Sequence, residues 1–151
     1  MEFRLADYND TIKLAELRWE FKNSETTLDI TQKDFFINYC SDYLKTMFKE
    51  NFYCWIAVEE EKIISHIYII IVKKVPKPDK LNGEWGYVTA VYTIPEYQNQ
   101  GIGKQLMDKV KDWSINKGLE LLIVWPSDRS IPFYKRSGFN EMNDILELLF
   151  E

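Results

Sequence analysis

Between residues 84 and 117 the chain changes its hydrophobic period once, across a proline and two glycines. Glu84 to Ile94 is rich in branched and aromatic residues, the composition of a strand, and Pro95 stops it. From Gly101 to Lys117 the spacing is helical: Ile102, Leu106, Val110 and Trp113 share a face, and Gly118 follows as a stop. The link is Pro95-Glu96-Tyr97-Gln98-Asn99-Gln100-Gly101-Ile102-Gly103-Lys104. A strand that turns into a helix here presents the helix's first N–H groups, which have no internal partner, at the positive end of its dipole. A diphosphate placed there is held by backbone alone. A Cβ at Gly101 or Gly103 is expected to stand where the phosphates approach, and Lys104 adds a cation. The loop is neither a Walker A sequence nor the three-glycine dinucleotide pattern. Taken alone, its two glycines fit a plain strand-to-helix turn equally well.

The other segments frame this turn. Phe3 to Leu5 predicts a short strand, and Asp10 to Phe21 a helix with a broad apolar face. A second helix is expected from Thr31, where Thr31 and Asp34 resemble a capping box, and its face runs through Phe36, Tyr39, Cys40, Tyr43 and Met47. Phe52 to Val58 and Ile63 to Val75 read as a strand pair joined by a turn at 59–62, and Pro76 to Gly83 as a loop. Leu119 to Trp125 predicts a strand, Asp128 to Arg136 a short helix ended at Gly138, and Ile145 to Phe150 a last strand. The order β-α-α-β-β-β-α-β-α-β predicts an α/β fold, a mixed sheet flanked by helices, with residues 1–151 as one domain.

Composition removes several function classes. Net charge is -5 with both signs scattered, which disfavours a phosphate-backbone binder, so no nucleic-acid partner is expected. Two cysteines without CxxC spacing and one histidine supply no metal set. Cys40 and Cys54 sit in apolar runs and read as buried thiols. The longest apolar run, Ile63 to Val72, is too short for a bilayer, and the first residues lack a signal-peptide core. A soluble, cytoplasmic protein without a membrane partner is the expectation.

The residues from Val91 to Leu106 resemble the acetyl-CoA motif of the GCN5-related N-acetyltransferase (GNAT) family: a strand, a Pro, then Gln/Arg-x-x-Gly-x-Gly/Ala opening a helix. Downstream, Ser127-Asp128-Arg129-Ser130-Ile131-Pro132-Phe133-Tyr134-Lys135-Arg136-Ser137-Gly138-Phe139 is similar to that family's Asn-x-x-Ala-x-x-Phe-Tyr-x-x-x-Gly-Phe. Phe3-Arg4-Leu5-Ala6 resembles its first strand, and the element order is the family's order. The chain departs from the pattern at Ser127, where Asn is usual, at Ser130, where Ala is usual, and at Pro132, which implies a helix starting near Ser130.

The resemblance implies an acyltransferase that moves an acetyl group from acetyl-CoA to a primary amine of a small molecule or peptide. The alternative is a CoA-binding regulatory module without turnover. It implies that Val91, Tyr92 and Thr93 line the pantetheine and thioester on a strand splayed from its neighbour. Gln98, Asn99, Gln100, Gly101, Ile102, Gly103 and Lys104 then hold the diphosphate, and Ser127 and Tyr134 contact the arm. Tyr134 is the implied general acid, donating to the leaving thiolate. For the base, Glu84 is preferred over Glu96, His66 or a water chain. An odd spacing sets Glu84 and Val91 on opposite faces of a regular strand, and a bulge between them reverses this. Dimers are common among similar proteins, and a homodimer is expected on that ground alone. The aromatics of the first two helices read mainly as core, with the acceptor shaped by those helices and the loop 74–83.

Overall fold

A computed structural model, which describes residues 1–150, places strand β1 at Glu2–Leu5 and helices α1 and α2 at Thr11–Glu25 and Lys33–Met47. Strands β2, β3 and β4 follow at Phe52–Glu59, Lys62–Lys73 and Glu84–Thr93, then helix α3 at Ile102–Lys117. Strand β5 spans Leu122–Val124 and helix α4 Ile131–Arg136. The sheet order is β1-β2-β3-β4-β5, antiparallel except for the last pair, which is parallel. The crossover between β4 and β5 carries α3, as a parallel pair requires.

Strand β3 is buried on both faces, and its side chains alternate between two cores. Ile64 and Tyr68 face α1 and α2, beside Leu14, Leu17, Leu44, Cys54 and Ile56. Ile67, Ile69 and Ile71 face α3 and α4, beside Val88, Leu106, Met107, Val110 and Tyr134. The period of two thus explains why the run from Ile63 to Val72 is almost wholly apolar. The β2–β3 turn is tight: Glu60 and Glu61 carry φ of 48° and 64°, the hand that hairpin twist demands.

Three local expectations are corrected. Thr31 and Asp34 form no capping box; Asp29 instead accepts from the Thr31 backbone N–H at 3.0 Å, and a short 3-10 turn leads into α2. A capping box does form, at Asp7 and Asp10, because Arg4 holds the Asp10 carboxylate beside the Asp7 N–H. Among the described residues, Ile145 to Phe150 forms no strand, since a strand exists only on a ladder and no ladder reaches it. A cleft of about 420 Å³ separates it from β5. Cys54 is buried as expected, whereas Cys40 is only half-buried; burial pushes both thiols up. No helix is long and apolar enough to cross a membrane, and no group of metal-ligating side chains forms, among the described residues.

Candidate functional site

Strand β5 accompanies β4 for only three residues, from Gly86↔Leu122 to Val88↔Val124. Beyond Val88, β4 runs on to Thr93 with no strand on that edge. Its other edge is disturbed at the same level. Tyr68 opposes Thr89 and His66 opposes Tyr92, so Ile67 faces both Ala90 and Val91. This is a bulge, and Ala90 adopts φ of 49° to make it. The extra residue reverses the alternation. Val88 and Val91, three apart, both pack towards α3, while Ala90 and Tyr92 pack towards α1. The strand therefore leaves unpaired N–H and C=O groups open in the middle of the sheet, where an extended polar ligand can join them.

The loop after β4 is fastened to the strand it leaves. Gln98 Nε2 donates to the Thr93 carbonyl at 2.9 Å, and Gln100 Nε2 to the Glu96 carbonyl at 2.9 Å. Ser65, fully buried on β3, donates to the Tyr92 carbonyl at 2.9 Å and meets Thr93 Oγ1 at 2.8 Å. Asn99 and Gly101 are left-handed, at φ of 59° and 78°, with Gln100 between them. Backbone that alternates in hand gathers N–H groups into a concave anion site. The first ladder bond of α3 runs from the Gln105 N–H to the Gly101 carbonyl at 3.0 Å. The N–H groups of Ile102, Gly103 and Lys104 thus lack helical partners and face the same concavity.

The roles of the individual residues differ from those expected. Gly101 has the left-handed backbone that glycine adopts freely, and within the protein a Cβ there would meet only Gln105 Nε2, at 3.9 Å. A Cβ on Gly103 comes within 3.4 Å of the Phe133 ring and 3.6 Å of Thr93 Oγ1, narrowing the gap between α3, α4 and β4. Lys104 Nζ bonds Asp108 Oδ2 at 3.0 Å on the exposed face of α3, so its ammonium is engaged away from the loop. Ser127 stands at the N-cap position of the turn before α4 but its side chain makes no cap bond; the hydroxyl donates to Ser130 Oγ at 3.1 Å. Pro132 lies in the first turn of α4, which begins at Ile131, next to the expected start at Ser130.

Tyr134 enters the same core as Val88 and Val91 and is 7% exposed. Its ring meets Phe133 and Phe139 edge-on at 5.1 and 5.4 Å. Burial, with Tyr87 adding to it, pushes its hydroxyl up to about 12. Glu84 is not brought to this cluster. The bulge does turn it to the face of Val91, but it pairs with Lys73 at the far end of β4. Seven residues of strand, at roughly 3.3 Å each, lie between them. His66 is 1% exposed, with its ring 5.0 Å from Tyr68 and 5.8 Å from Tyr92. Burial, reinforced by the Arg18 charge, lowers its pKa to about 4, so the ring is neutral at pH 7. Glu20 and Glu96 act on Tyr92, whose hydroxyl is raised by burial first and by both carboxylates in addition. Arg18 carries no sign in the sequence, and Ser65 only that it is polar, beside His66, inside an apolar strand.

A model of the acetyltransferase (GNAT) family matches residues 12–139. Glucosamine 6-phosphate N-acetyltransferase of Trypanosoma brucei brucei is 35% identical over 54 residues, 36% of this chain and 37% of that protein. Thialysine N-epsilon-acetyltransferase of Bos taurus is 31% identical over 61 residues, 38% of this chain and 36% of that protein. The match thus spans little more than a third of either relative. A predicted acetyltransferase from Clostridium acetobutylicum, crystallised with acetyl-CoA, superimposes with a TM-score of 0.72 at 23% identity, covering 98% of this chain and 95% of that one.

Proposed function

This chain belongs to the acetyltransferase (GNAT) family, and from that premise we propose that it transfers an acetyl group from acetyl-CoA to a primary amine. The observation that carries the proposal is the open edge of β4 from Thr89 to Thr93, ending beside the free N–H groups of α3. The two features match two parts of one molecule. The pantetheine amides suit an unpaired strand edge, and the diphosphate suits the concavity from Asn99 to Lys104. The residues present fit CoA for a further reason: the loop is anchored through Gln98 and Gln100, so its N–H groups are held in place before a ligand arrives.

The chemistry follows from the position of the opening. The amine nitrogen attacks the thioester carbonyl, forming the C–N bond and a tetrahedral oxyanion. The C–S bond then breaks and the thiolate leaves. A backbone N–H of Val91 to Thr93 on the open edge serves the oxyanion. Tyr134 donates to the sulfur as charge grows on it. With its hydroxyl pushed up to about 12, Tyr134 stays protonated at neutral pH. Full transfer from such a phenol to a thiolate of pKa about 8.5 is uphill. Its part is therefore a hydrogen bond that strengthens as the C–S bond breaks; the attacking nitrogen loses a proton as the amide forms, and the thiolate takes one up, so the products are a neutral amide and a thiol. The amine enters on the face of Tyr92, where Glu20 and Glu96 draw in a cation and water carries its proton off. Glu84 has no part in this scheme.

The test is a thermal-shift titration with acetyl-CoA, CoA, ATP and NADH. A ligand that binds only the native state raises the unfolding midpoint. Shifts with acetyl-CoA and CoA alone are expected, and their absence from the folded protein overturns the assignment. Thioester turnover with an amine panel then separates the enzyme from a binding module.

A further inference from the structure

Arg18 is the odd charge in this molecule. It lies on α1 one turn before Phe21, whose ring packs at a tilt 4.6 Å from that of Tyr92. Positions 18 and 21 share a helix face, so Arg18 lies over the same wall of the sheet. It is half-buried, yet it forms no ion pair and no side-chain hydrogen bond among the described residues. Its helix offers no partner. The neighbours three and four residues away are Leu14, Ala15, Phe21 and Lys22, and Lys22 is itself engaged with Glu25 at 3.1 Å. Glu16 and Glu20 stand two residues off, where helical side chains diverge.

The wall beneath Arg18 is similarly unfinished. His66 Nδ1 is buried and has no hydrogen-bond partner, and the His66 ring lies 5.8 Å from Tyr92. The charge of Arg18 on α1 acts on Cys40 of α2 and on His66 and Tyr68 of β3. Tyr92 adjoins Val91 at the bulge, so this corner borders the opening where the acetyl group is transferred. A half-buried guanidinium without a counter-charge carries a desolvation cost that an anionic ligand removes.

We infer that Arg18 is a specificity-determining residue: it binds a carboxylate or phosphate carried by the amine acceptor, with the His66 imidazole beside it as a second polar contact. The acceptor is then a small amine that also bears an anion several bonds from its nitrogen. Phe21 and Tyr92 flank the carbon chain between the two groups. The inference rests on the acetyltransferase reading above.

Matched acceptors test it: lysine against 1,5-diaminopentane for the carboxylate, and O-phosphoethanolamine against ethanolamine for the phosphate. Thiol release is followed for the wild type, Arg18→Met and Arg18→Lys. A preference of about tenfold or more in kcat/KM for one anionic member is expected, with the pair that shows it identifying the anion. Arg18→Met is expected to abolish that preference mainly through KM, leaving the neutral member unchanged, and Arg18→Lys to restore part of it. Equal use of both members, or an equal loss for both in Arg18→Met, overturns the inference. If no acceptor turns over, lysine and O-phosphoethanolamine are titrated into CoA-saturated protein. A stabilisation lost in Arg18→Met then supports the inference, and no Arg18-dependent shift overturns it. Absence of any CoA-induced shift in the wild type overturns the acetyltransferase reading and this inference with it.

Discussion

Gln98 reaches back five residues to donate from Nε2 to the Thr93 carbonyl at 2.9 Å, closing the loop that joins β4 to α3. The bond ties the loop proposed to cradle the diphosphate to the strand end proposed to line the thioester. Without it, the left-handed residues Asn99 and Gly101 are less well held before the ligand binds. Gln98→Ala is expected to weaken CoA about tenfold, the cost of ordering a loosened loop. Its stability should fall by only about 1 kcal/mol, because the bond is exposed. Calorimetric titration with CoA and a urea melt read the two effects separately. Equal CoA affinity in the variant removes Gln98 from the cradle.

Tyr134→Phe removes one hydroxyl from a ring held edge-on by Phe133 and Phe139. Packing is kept, so CoA binding and the unfolding midpoint should stay close to wild type. Turnover should fall by about 10²- to 10³-fold, the span lost with one hydrogen-bond donor to developing charge. The pH profile adds a second check. A hydroxyl pushed up to about 12 does not ionise in the working range, so any alkaline fall in kcat below pH 10 belongs to another group. An alkaline limb that vanishes in Tyr134→Phe would contradict this.

Glu84→Gln is the contrasting case. Glu84 pairs with Lys73 at the start of β4, and the proposed transfer site is at the other end. Unchanged kcat and KM are expected for this variant. A loss of tenfold or more would mean that an acceptor extends along the whole strand to reach it.

The architecture was legible wherever a segment carries its own signal. The strand-to-helix turn was visible because Pro95, Gly101 and Gly118 mark its limits. Strand β3 was visible as a run that is apolar but for Ser65 and His66. What was not legible depends on pairing. The bulge at Ala90 and Val91 was raised as an option, yet nothing in the residues places it, since Ala is an ordinary residue and its φ is set by the ladder to β3. Lys104 suited the cradle on paper, but a helix puts Asp108 one turn away to capture it. The segment from Ile145 to Phe150 has strand composition without a strand, because composition does not supply a neighbour. Arg18 was invisible for the converse reason: an arginine's lack of a partner is a fact of space.

The hairpin between β2 and β3 holds a reserve of stability. Glu60 and Glu61 both sit at positive φ, where a Cβ is disfavoured and two like charges adjoin. Replacing them with Asn-Gly suits the turn and should raise stability by about 0.5–2 kcal/mol. CoA affinity should not change. A lower unfolding midpoint in the double variant would mean that the Lys13 bond to the Glu61 carbonyl, at 2.8 Å, depends on the native pair.

Acid should destabilise the fold in two separable steps. Two buried residues, His66 and Asp10, have folded-state pKa values lowered from their ordinary values. His66 falls from 6.5 to about 4, chiefly through burial, with the Arg18 charge adding to it and the Ala90 backbone opposing it. Burial pushes the Asp10 carboxyl up, but the Arg4 hydrogen bonds at 2.7 and 2.9 Å, the Asp7 N–H and the nearby charges hold it below 3.8. In both cases the unfolded chain takes up a proton at a higher pH than the folded one, so both contributions are present at pH 7 and decline with falling pH. That of His66 is lost between pH 6.5 and 4 and amounts to about 3 kcal/mol. That of Asp10 is lost only below pH 4. The groups facing His66 are Arg18, Tyr68 and Tyr92, none of which changes charge in this interval. Urea midpoints measured at pH 7.5, 5.5 and 4.5 should therefore fall steeply for the wild type and much less for His66→Phe. Parallel slopes in the two proteins would assign the acid loss to other groups.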